Sequence, residues 1–121
     1  MLLSYLSKVN LDRCNRWHKN GGINSWSASD WGVALCGEVG EAMNKIKKLN
    51  RLRDELENRD NKRPWEDNRD RDIIVGEIAE ELADSFLYLD LLAQRLGIDL
   101  EAAVKAKFNK VSMNYNFPER L

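Results

Sequence analysis

Between Glu77 and Leu96 the chain reads EIAEELADSFLYLDLLAQRL, an apolar run with acidic residues set into it at helical spacing. Successive residues of an α-helix turn by about 100°, which puts Glu77, Glu81, Asp84 and Tyr88 on one face. From Ile73 to Leu96, 15 of 24 positions are apolar or Tyr, more than a half-exposed surface helix needs. The pattern therefore predicts a helix buried nearly all round, with carboxylates carried into its surroundings. An ionised carboxylate in a core is costly unless it is protonated, paired or bound to a metal.

The other segments give three more helices. Residues 3–19 place Leu3, Leu6, Val9 or Asn10, Arg13 and Trp17 at roughly helical intervals, and Gly21-Gly22 ends the run. Ser27 or Ser29 offers the N-cap of a second helix starting near 28–30, whose apolar stripe is Val33, Cys36, Val39, Met43 and Ile46. Gly32, Gly37 and Gly40 weaken that helix, so the sequence predicts a compensating close approach of another helix backbone. From Arg51 to Asp72, 15 of 22 residues are charged, which marks a solvated connection. RLRDELENR can prolong the second helix in polar form, while DNKRPWEDNRDRD reads as loop, with Trp65 as a surface anchor. The third helix ends at Gly97, Ile98 follows as a staple, and Asp99 caps a fourth helix, LEAAVKAKFNKVSM. The tail beyond it carries only a weak alternation at Met113, Tyr115 and Phe117. The expectation is an all-α, four-helix bundle-like fold with residues 1–121 as a single domain.

At 121 residues and net charge −1, the chain lacks the basic field that steers proteins to a nucleic acid polymer. Two cysteines make no disulfide framework, and Cys36 is expected as a buried thiol in a reducing cytoplasm. No stretch reaches membrane-spanning length. A 14 kDa chain with so apolar a third helix has more greasy surface than four helices can hide, so an obligate oligomer is expected, a homodimer or a dimer of dimers. Asp90, inside YLDLLA, calls for a buried Arg or Lys partner, from a neighbouring helix or a second subunit whose register it would fix.

The chemistry falls on two acidic pairs. Glu38 and Glu41 lie three residues apart on the second helix, and Glu81 and Asp84 three apart on the third. Four carboxylates on facing helices, with no cysteine and only His18 elsewhere, suit Mg²⁺ or Mn²⁺ rather than zinc. The plainer reading is solubilising Glu with i,i+4 Lys pairs, as Glu41 with Lys45 allows. The segments GEVGEAMNKIKKL and EELADSFLYLDLLAQRLGIDLEAAVKAKFNK resemble the MazG-like all-α nucleoside triphosphate pyrophosphohydrolases, whose motif is Glu-x-x-Glu on one helix and Glu-x-x-Asp on the next. The resemblance spans about residues 26–112 and implies that Glu38, Glu41, Glu81 and Asp84 bind Mg²⁺ in an oligomeric enzyme. It also implies a reaction that turns a nucleoside triphosphate into a monophosphate and pyrophosphate, with nucleotide-pool house-cleaning as its use. Family members often carry a Lys followed by a Lys-Asn pair on the last helix; here Lys107 is followed by Asn109-Lys110-Val111. Lys45, Lys48 and Lys107 are the phosphate candidates. Trp17, Trp26 and Trp31 are stacking candidates for the base, Asn24 and Asn109 its amide partners, and Glu77 or Glu80 candidates to orient a water. The rival reading is a non-catalytic helical interaction or nucleotide-sensing module that uses the acidic face.

Overall fold

The N-cap pattern at Ser27 sets the start of the longest helix. The Ser27 hydroxyl accepts the Asp30 N–H at 3.1 Å while the Asp30 carboxylate accepts the Ser27 N–H at 2.9 Å, a reciprocal box that satisfies two orphan donors. In the computed structural model, which describes residues 2–57, 65 and 68–121, this helix is α2, Ala28–Glu57. It follows α1, Leu2–Trp17, and a short 3-10 turn, Gly22–Ser25; α3, Arg69–Arg95, and α4, Leu100–Asn114, complete the order. The described residues hold four α-helices and no strand, so the fold class is all-α.

Each boundary has a local cause. Gly22 (φ 57°) takes a left-handed turn where an added Cβ would lie 2.2 Å from Asn15 Oδ1, the atom that accepts the Ile23 N–H at 3.0 Å. The RLRDELE stretch does prolong α2. Residues 58–64, 66 and 67, most of the expected loop, lie outside the described residues. The third helix starts a turn earlier than its apolar pattern suggests, because Asn68 caps it: Asn68 Oδ1 accepts the Arg71 N–H at 2.9 Å. Trp65 lies 5.6 Å from the Arg71 guanidinium and its carbonyl accepts the Asn68 N–H, so it anchors this start. At the far end Gly97 (φ 69°) forms a Schellman motif, with Ile98 N–H donating to Ala93 O at 2.8 Å and Gly97 N–H to Gln94 O at 3.0 Å. Asp99 caps α4 by accepting the Ala102 N–H. Asn116 (φ 57°) repeats the Schellman pattern beyond α4, and a helix stop replaces the weak alternation at 113–117.

The chain divides into two compact units, Met1–Trp31 with Leu89–Leu121, and Gly32–Tyr88. In the first, Leu3, Cys14, Trp31, Leu91 and Ala93 are buried. Asp90 is fully buried there, and neutral donors take the place of the cation expected for it. Asn10 Nδ2 and Gln94 Nε2 each donate to Oδ2 at 2.9 Å, and the Ser7 hydroxyl donates to Oδ1. Gln94 Nε2 also donates to the Ser7 carbonyl at 2.9 Å, tying α1 to α3. Several neutral dipoles thus solvate the carboxylate without a second buried charge.

In the second unit Ala42, Ile78 and Ser85 are buried, and the Ser85 hydroxyl donates to Glu81 O at 2.7 Å. Four sequence expectations are corrected here. Val33, Cys36, Val39 and Met43 of the α2 stripe face outward, Val33 at 72 % and Met43 at 51 % exposure, while half-buried Ile46 of the same stripe joins Ala42, Leu35 and Leu49 on the packed side. Cys36 is exposed on that outward face. Gly32, Gly37 and Gly40 have no neighbour within 4 Å of an added Cβ among the described residues, so the expected close approach is not seen there. Likewise α3 is not buried all round, since Val75, Leu82 and Phe86 are 38–55 % exposed.

Candidate metal centre

The second unit pairs α2 with α3. Glu38 senses Glu81 and Asp84, and Lys45, two turns on, senses Glu77, Glu80 and Glu81, so the helices run antiparallel in this register. Carboxylate oxygens of Glu38, Glu41 and Glu81 lie within 4.8 Å of one another, one from each residue. Glu38 and Glu81 are half-buried and Glu41 is exposed, so the group opens to solvent on one side. Asp84 falls outside this closest set but is near enough to raise the Glu38 pKa. The i,i+3 spacing on both helices makes this convergence possible, since residues three apart share a face.

The electrostatics show a cluster with surplus negative charge. Partial burial pushes the Glu38 carboxyl up to about 7, helped by a hydrogen bond shared with Glu81 and by the charges of Glu41, Asp84 and Glu81. Glu81 moves the opposite way, held below its ordinary value chiefly by Lys45. Lys45 Nζ donates to Glu81 Oε1 at 2.7 Å, and this bond raises the ammonium pKa in turn. Lys45 thus pairs across to α3. The spacing of Glu41 and Lys45 suggested a pair along α2; nothing in it signalled the cross-helix partner. An all-oxygen, charge-rich donor set of this kind fits a hard divalent cation such as Mg²⁺ or Mn²⁺.

The remaining site candidates are placed as follows. Lys48 is exposed on α2 in the same unit as the carboxylates. Lys107 and Asn109 stand on α4 in the other unit, where Asn109 Oδ1 accepts the Leu121 N–H at 2.9 Å and Asn109 Nδ2 donates to Leu121 O at 3.3 Å. Trp26 and Trp31 also belong to that unit, with ring centroids 4.5 Å apart and His18 edge-on to both. Trp31 is 1 % exposed and donates its indole N–H to Ile23 O, so its ring is core. Trp26 is half-buried, its carbonyl accepting the Arg95 Nε–H at 2.9 Å, and Trp17 is 79 % exposed.

No curated protein and no solved structure gave a match to the chain. A sequence profile of the MazG nucleotide pyrophosphohydrolase domain matches residues 31–115, a span that holds both acidic pairs and all of α3 and α4. With both Glu-x-x-Glu and Glu-x-x-Asp inside the matched span and three of the four carboxylates brought together, the chain belongs to the MazG nucleotide pyrophosphohydrolase family.

Proposed function

We propose that this protein hydrolyses a nucleoside triphosphate between its α and β phosphates, releasing a monophosphate and pyrophosphate, with Mg²⁺ or Mn²⁺ held by Glu38, Glu41, Glu81 and Asp84. The observation that carries the proposal is the convergence of Glu38, Glu41 and Glu81 oxygens within 4.8 Å inside the span that matches the family. When bound, the divalent ion supplies positive charge to the phosphate oxygens and acidifies an attacking water. The carboxylates hold that charge in place, and the cost of keeping them ionised together, partly buried and mutually repelling, is what a cation relieves. Lys45 and Lys48, in the same unit as the carboxylates, are assigned to the polyphosphate, and Lys107 and Asn109 on α4 stand as further candidates. Of the paired tryptophans, Trp26 keeps accessible surface for stacking on a base, whereas Trp31, its ring centroid 4.5 Å away, is buried.

The working unit is proposed to be a homo-oligomer, a dimer or dimer of dimers, in which the whole chain acts as one domain. The outward apolar stripes of α2 and α3 support this reading. No helix among the described residues is long and apolar enough to cross a membrane. The two free cysteines suit the reducing, cytoplasmic setting proposed here, and a house-cleaning role in the nucleotide pool is part of the same proposal.

Single substitutions test the metal assignment. Glu41→Gln and Asp84→Asn each remove one charge at nearly constant shape, and each is expected to lower Mg²⁺-dependent pyrophosphate release by roughly 100-fold or more. Wild-type turnover in both variants would remove the assignment.

A further inference from the structure

We infer that Lys45 is a built-in counter-cation, neutralising Glu81 while the acidic cluster lacks a divalent ion and released to the substrate polyphosphate when one enters. The inference rests on the metal-site reading above and adds a coupling between metal loading and phosphate binding.

Its basis is the choice Lys45 makes among acceptors. Glu41 sits one turn back on the same helix in the favourable Glu-to-Lys order, yet the ammonium reaches across to Glu81 Oε1 at 2.7 Å. The Lys45 and Glu81 side chains are only 25 % and 13 % exposed, so this is not one of the solvated surface pairs that contribute little. Glu81 is also one of the three residues whose oxygens converge. The ammonium therefore occupies the electrostatic role of the cation without sitting among all three carboxylates. Lysine suits the part: it is a compact charge on a flexible four-carbon stem, whereas arginine would lock to the carboxylate through a planar fork. Glu81, if it shared its charge with a divalent ion held by the cluster, would hold Lys45 less tightly, and the like charges of ion and ammonium would repel each other. Glu77 and Glu80 also attract the ammonium, so once released it stays beside the site and is not lost to bulk solvent. A polyphosphate bound to the ion then offers the strongest acceptor within its reach.

Mn²⁺ binding by the full chain, followed by electron paramagnetic resonance without nucleotide, tests the first half. Lys45→Met is expected to bind Mn²⁺ about tenfold tighter than wild type, the scale set by freeing a carboxylate from one charge-assisted hydrogen bond. Lys45→Arg should bind no tighter than wild type, and the exposed Lys47→Met should match wild type, which separates a local effect from a change in net charge. In thermal melts Lys45→Met should be less stable than wild type without metal and gain more from saturating Mg²⁺. With Mg²⁺ saturating, its affinity for an α,β-methylene nucleoside triphosphate should fall. Unchanged or weaker Mn²⁺ binding by a folded Lys45→Met, or tighter binding by Lys45→Arg, overturns the inference and leaves the metal site standing if wild type binds Mn²⁺. Unchanged nucleotide affinity overturns the release to phosphate. A wild type that binds no Mn²⁺ overturns the metal site and this inference together.

Discussion

Glu38 is the residue whose chemistry most exposes the cluster. Its carboxyl sits at about 7 in the folded protein against an ordinary 4.5, so the folded state binds a proton that the unfolded chain releases. That contribution to stability is fully present below about pH 4.5 and is lost as pH rises through about 7. The melting temperature of the metal-free protein should therefore fall between about pH 5 and pH 8, and Glu38→Gln should flatten the fall. Glu81, whose pKa is lowered, acts in a separate, more acidic window. A flat wild-type profile, or an equally steep one in Glu38→Gln, would show that burial and the neighbouring carboxylates do not hold a proton on Glu38. At this scale the sequence pointed to the acidic residues by their spacing but not to their partners. The Lys45–Glu81 bond and the Ser7 and Asn10 donors to Asp90 join residues at least 36 positions apart; only Gln94, four residues on along α3, is a partner that helical spacing offers. Such pairings depend on how helices rotate against each other, which periodicity alone leaves open.

Helix boundaries were legible wherever a cap residue announced them. Ser27, Gly97 and Asp99 each do the job their type suggests. The start of α3 was not, because the charged residues Arg69–Asp72 look like loop until Asn68 is seen to cap them. The buried face of α2 was misread for a different reason. That helix carries two apolar sides, Leu35, Ala42, Ile46 and Leu49 on one and Val33, Cys36, Val39 and Met43 on the other, and hydrophobicity does not say which meets its own chain. The Schellman turn offers a direct test at this scale. Gly97→Ala forces a side chain into left-handed backbone with no steric neighbour to confuse the result, so a loss of about 1 kcal/mol is expected in urea denaturation. An unchanged midpoint would contradict the left-handed strain expected of alanine at φ 69°.

For the whole molecule, the outward apolar surface is the unresolved demand of the sequence. Val75, Ala79, Leu82 and Phe86 recur at spacings of four, three and four along α3, the register of a helix seam, and all are exposed in the single chain. Covering that seam with a second copy predicts a light-scattering mass at a multiple of 14.0 kDa at micromolar concentration, and Leu82→Glu should shift it toward the monomer. A stable wild-type monomer would contradict this. The all-α class and the family were readable from the two acidic pairs and the apolar third helix, because both lie in local sequence. The central claim is that this cluster directs water to the α–β linkage of a nucleoside triphosphate. ³¹P NMR of a deoxy- and ribonucleoside triphosphate panel incubated with the protein and Mg²⁺ should show a monophosphate and pyrophosphate growing together, with neither appearing when the metal is chelated. Diphosphate with inorganic phosphate, or no metal-dependent product from any member of the panel, would contradict it.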